Sequence, residues 1–122
     1  MAAPIIEPEP AAVLSTAVVR AAQLLDLSQA ELARTLGVSR ASISRLHAGR
    51  YRIDRAGKQW EMALLVVRLF RSLAAIVGTG PELAEWLRSP NEALGGAPIE
   101  LIASAEGLVR TVDYLDAARA RV

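Results

Sequence analysis

The stretch that decides the fold is Leu27-Ser-Gln-Ala-Glu-Leu-Ala-Arg-Thr-Leu-Gly-Val-Ser-Arg-Ala-Ser-Ile-Ser-Arg-Leu46. Ser28 with Glu31 three residues on forms a capping box, so a helix starts at Gln29. It stops near Leu36, because Gly37 suits the left-handed conformation at a helix end. Ser39 is the next N-cap, and a second helix runs from Arg40 to about Ala48, closed by Gly49. Ala33 is small where the second helix must cross closely. Leu32, Leu36, Val38, Ile43 and Leu46 are apolar where the pair faces a core. Ser39, Arg40, Ser42, Ser44 and Arg45 remain outward, a set of short hydroxyls and guanidinium forks suited to phosphates and guanine edges. Two helices joined by so tight a turn present the start of the second to a DNA major groove. A helical hairpin without a DNA role is the plainer alternative.

Working outward, Pro4 to Pro10 carries three prolines and two glutamates and reads as an extended arm over residues 1–10. Val13, Leu14, Ala17, Val18, Ala21, Leu24 and Leu25 recur with helical period between Ala11 and Asp26. The loop from Arg50 to Ala56 is basic and lacks strong periodicity. A long helix is expected from Lys58 to Val77, with Met62, Leu65, Val66, Leu69, Leu73, Ile76 and Val77 as its stripe and Ser72 off it. Beyond Thr79-Gly80-Pro81, a short helix over Glu82–Arg88 is followed by a second capping box at Ser89-Pro90-Asn91-Glu92, ended by Gly95-Gly96. Pro98–Ile102 makes another turn, and Ser104 caps a last helix from Ala105 to about Arg119. Trp86, Leu94, Ile99, Leu108 and Leu115 are the expected core of this third of the chain. The fold class is all-α, with an arm at 1–10, a DNA-binding unit at 11–78 and a smaller unit at 79–122.

The 122 residues carry a net charge of +1, which hides a segregation. From Arg34 to Lys58 there are seven basic residues and one acid; from Glu82 to Asp116 there are seven acids and two arginines. Two faces of opposite sign point to two different partners, the basic one a polyanion. The 0 cysteines exclude a disulfide framework and thiol chemistry, and 1 histidine leaves neither a His-based metal site nor a Ser-His-Asp triad. His47, near the end of the second motif helix, reads as a surface or phosphate-side residue. No glycine-rich phosphate loop is present. An enzyme, a cofactor and a metal are therefore not expected. The opening residues lack the basic region and apolar run of a signal peptide, and Met62–Val77 is too short and too charged to span a bilayer, so a cytoplasmic protein is expected.

The Leu27–Leu46 stretch resembles the phage-repressor-like helix-turn-helix family, often called Xre-type. The resemblance implies that Gln29 contacts a phosphate, that Arg40, Ala41 and Arg45 face bases, and that Ser39 and Ser42 touch the DNA backbone. Ala41 departs from the polar residue often found there. Arg50 and Arg52 of the basic loop are expected to join them as DNA-binding residues. The ordered series Trp86-Leu87, Ser89-Pro90-Asn91, Leu94-Gly95-Gly96 with Pro98, Glu106-Gly107 and Tyr114-Leu115-Asp116 resembles the toxin-binding domain of bacterial antitoxins of the Xre/MbcA/ParS type. What this implies is a type II antitoxin that represses its own promoter and neutralises a RES-family toxin, an enzyme that consumes NAD or transfers ADP-ribose from it. A homodimer is expected, because such DNA readers place two recognition helices about one DNA turn apart. In that family the C-terminal end obstructs the toxin's active site. Here that end runs from Tyr114 to Val122: Arg119, Arg121 and the carboxylate of Val122 would be the obstructing residues, with Tyr114 and Asp116 also expected to bind the toxin. The alternative is a stand-alone Xre-type repressor.

Overall fold

Glu9 opens the first helix. Its carboxylate accepts hydrogen bonds from the Ala11 and Ala12 amides, and Pro10 supplies a preset φ at the first helical position. In the computed structural model, which describes residues 9–121, α1 therefore spans Pro10–Leu24. It begins one residue inside the expected arm and ends two residues earlier than expected. Residues 1–8 of that arm lie outside the described residues. Asp26 takes the left-handed conformation (φ 58°), and the Leu27 amide closes the end on the Ala22 carbonyl.

The other helices are α2 (Gln29–Leu36), α3 (Arg40–His47), α4 (Lys58–Val77), α5 (Glu82–Arg88), α6 (Pro98–Leu101) and α7 (Ala105–Arg119). All-α is the class observed among the described residues. The capping box at Ser28 forms in full, and Gly37 ends α2 at φ 72° as the sequence reading requires. Ser39 and Ser104 cap α3 and α7 by accepting amide bonds from Ser42 and Gly107. Where the second capping box predicts a helical turn, residues 91–96 instead form a turn closed by a bridge between Asn91 and Gly96. The Asn91 side chain accepts from the Leu94 amide at 3.1 Å. Between Pro90 and Gly95 there are too few residues to nucleate a helix, and the asparagine offers the backbone a ready local alternative.

α4 lies at the centre, packed by α1 and by α7, with α2 and α5 also touching it. One continuous cluster runs from Leu14 and Val18 of α1 through Ile43, Leu69 and Leu73 to Leu108 and Leu115 of α7. Being covered on more than one side, α4 buries a wider arc than a single stripe. Ala63 and Ser72 are both 0% exposed, which corrects the placement of Ser72 off the apolar face. Trp86 and Ile99, expected as core, are half-buried around the edge of the cluster.

α6 and α7 meet at a corner set by Gly107. Its φ is ordinary; what matters is that a methyl group there would overlap the Leu101 carbonyl oxygen, a backbone atom that cannot rotate away. Gly107→Ala is expected to destabilise the fold by about 1–3 kcal/mol by overpacking, read as a lower urea midpoint. An unchanged midpoint would refute this close approach.

Candidate functional site

The outer face of α3 collects the residues singled out for DNA. Ile43 and Leu46 turn inward and are buried, so Arg40, Ala41, Ser44 and Arg45 are left exposed. A chain of side-chain bonds runs along this face. Ser39 Oγ donates to Ser42 Oγ at 3.0 Å, and Arg45 Nη2 donates to the same oxygen at 3.2 Å. The Arg45 guanidinium thereby lies along its own helix. Gln29 stands half-buried at the first turn of α2.

The basic loop is less free than its sequence implies. Ile53 is 1% exposed, and its amide donates to Ser15 Oγ of α1 at 3.1 Å. Arg50 is exposed, its amide closing on the Arg45 carbonyl at 2.8 Å. Arg52 pairs with the Glu9 carboxylate at 2.8 Å, so part of its charge is already matched within the chain. His47 is half-buried and donates from Nδ1 to the Ile43 carbonyl at 3.0 Å, a helix-internal bond. Neither Ser15 nor Ile53 carries a sequence signal that would have marked this anchor.

The acidic third is tied back to the motif by Arg88. Its guanidinium takes both oxygens of Glu31, at 3.1 and 3.0 Å, and the Asp26 carbonyl at 2.8 Å. Glu31 therefore serves two ends at once, closing the α2 capping box and holding α5. The Arg88 bonds, with lesser help from Ser28, bring its carboxyl from the ordinary 4.5 down to about 2, and burial only partly opposes them. Because the folded value lies below the unfolded one, this contribution is complete above pH 4.5 and is lost as the pH falls from 4.5 towards 2. Screening at the half-exposed arginine reduces it to about 1–2 kcal/mol. Urea titrations of wild type and Glu31→Gln should converge on acidification through that window; parallel curves would refute the assignment.

The expected toxin-facing residues divide into two groups. Tyr114 stacks on Trp86, centroids 6.4 Å apart and planes 19° from parallel. Asp116 accepts from Ser72 Oγ at 2.6 Å and pairs with Arg68 through its other oxygen. The Ser72 hydroxyl first, and Arg68 after it, hold its carboxyl below the usual carboxylate range. These two side chains fasten α7 to α5 and α4. Arg119 and Arg121 are exposed at the free end of α7, while Val122 lies outside the described residues. Arg110 donates to the Leu94 carbonyl at 3.0 Å, locking the Leu94-Gly95-Gly96 turn against α7.

The antitoxin Xre-like helix-turn-helix domain model matches residues 4–68, just over half the chain, and the antitoxin Xre/MbcA/ParS C-terminal toxin-binding domain model matches residues 72–121. This chain is an Xre-type antitoxin. No curated protein matches it. The boundary between the two matched domains falls inside α4, the helix that carries packing to both sides. The antitoxin thus joins a DNA-binding unit and a toxin-binding unit through one continuous element. Both descriptions are of antitoxin domains, and neither is of an enzyme. No single helix among the described residues is long and apolar enough to cross a membrane.

Proposed function

We propose that this antitoxin neutralises a RES-family, NAD-consuming toxin by lodging the end of α7 in the toxin's active site, and that it represses its own promoter in the cytoplasm as a homodimer. The functional division runs at residues 11–78 for DNA and 79–122 for the toxin. Gln29, Ser39, Arg40, Ala41, Ser42, Arg45, Arg50 and Arg52 meet the duplex. Arg119, Arg121 and Val122 enter the toxin, and Tyr114 and Asp116 hold the helix that delivers them.

The observation that carries this reading is the contrast along α7. Its body is clamped by the Trp86–Tyr114 stack and the Ser72–Asp116 bond, and its tip leaves two arginines exposed. A rigid base with a cationic tip delivers guanidinium forks at little entropic cost to a pocket that offers carboxylates. Deleting residues 119–122 should leave the fold and the complex with the toxin intact while growth rescue and NAD levels in toxin-expressing cells collapse. Full protection by the truncated chain would overturn the plug.

A further inference from the structure

Three large apolar side chains are exposed among the described residues: Val13 of α1 at 52%, Leu64 of α4 at 48% and Val109 of α7 at 42%. They share one face. Val13 and Leu64 line the same groove between α1 and α4, of about 350 Å³, and Leu64 and Val109 line the next, of about 400 Å³, between α4 and α7. A further groove of about 540 Å³, floored by Ala17, Val67 and Phe70, continues the α1 side. Leu64 is the ridge in the middle. No residue lining these grooves belongs to α2 or α3, so the face can be covered while the recognition helix stays open.

The charges on this face are complementary to themselves. Glu61 lies three residues before Leu64 and Arg68 four after it, and both line the groove beside Val109. At 1.5 Å per residue they stand about 5 Å to either side of the ridge. A two-fold axis through Leu64, running across the helices, sets α4 antiparallel to its copy. Leu64 then meets Leu64, and Glu61 meets Arg68 twice over. Glu61 forms no ion pair among the described residues, and Arg68, already bonded to Asp116, still exposes 63% of its side chain. An isologous interface requires this symmetry of its own surface, whereas an unrelated partner does not.

We infer that the α1–α4–α7 face is where a second copy of this chain docks, about a two-fold axis at Leu64. The use of that dimer, to space two recognition helices along a duplex, rests on the reading above; the docking itself is tested on the protein alone. In sedimentation velocity at micromolar concentration the full-length wild type should run as a dimer. Leu64→Arg and Leu64→Asp should each run as monomers with unchanged helical circular dichroism. Their equimolar mixture should regain the dimer, because opposite charges then meet on the axis. A monomeric wild type, or single variants that remain dimeric, would overturn the proposal. So would a Leu64 variant that stays dimeric yet no longer co-purifies with the toxin, which would give the face to the toxin instead.

Discussion

Replacing Arg40 and Arg45 together with alanine is expected to weaken binding to the promoter fragment upstream of the antitoxin's own gene by about 30-fold or more. Each guanidinium that forks a guanine contributes about 1–3 kcal/mol, so the pair together is worth about 2–6 kcal/mol. The plot of log affinity against log salt should also flatten, by about 0.9 for each phosphate contact removed. Both side chains are exposed on α3, so the folded state should change by no more than about 0.5 kcal/mol. Toxin neutralisation should survive, since α7 and its anchors lie elsewhere in the chain. Fluorescence anisotropy at several salt concentrations decides the matter. Unaltered affinity in the double variant would mean that α3 is not the reading helix.

Leu73→Ala is expected to damage both roles together. Leu73 is fully buried in α4, next to Ser72, whose hydroxyl holds Asp116 of α7. Removing a buried leucine costs about 2–5 kcal/mol through lost transfer energy and the cavity left behind. Because one cluster joins α1, α4 and α7, the loss should lower the stability of both ends at once. Trp60 reports on the first half of the chain and Trp86 on the second. Single-tryptophan versions should therefore show coincident urea transitions, shifted together by Leu73→Ala. Two separate transitions, with only one of them shifted, would contradict the single core.

Much of this was legible in the sequence because it is local. The Ser28–Glu31 capping box, the Gly37 turn and the Ser39 and Ser104 caps each involve residues three or four apart, and each forms as read. The outward set on α3 followed from the same period that turned Ile43 and Leu46 inward. The Ser89–Glu92 signal misled because a capping box needs a helix long enough to nucleate, and Asn91 closed a turn instead. Asp116 and Tyr114 came to attention through the family pattern, yet their own contacts are internal, to Ser72 and Trp86. Nothing near them in the chain announces those partners.

The sequence by itself determined most of the helices, most of their ends and the outward face of α3, because capping and periodicity act within one turn of backbone; the antitoxin family was legible from the ordered series of motifs along the chain. Only the tertiary structure decided that α4 is sheathed by α1 and α7, that Arg88 closes on Glu31, that Gly107 has no room for a methyl group, and that Val13, Leu64 and Val109 come to lie on one face. Those pairings join residues far apart in the chain. They are set by how whole helices fill a shared core, a property that no short stretch of residues encodes on its own.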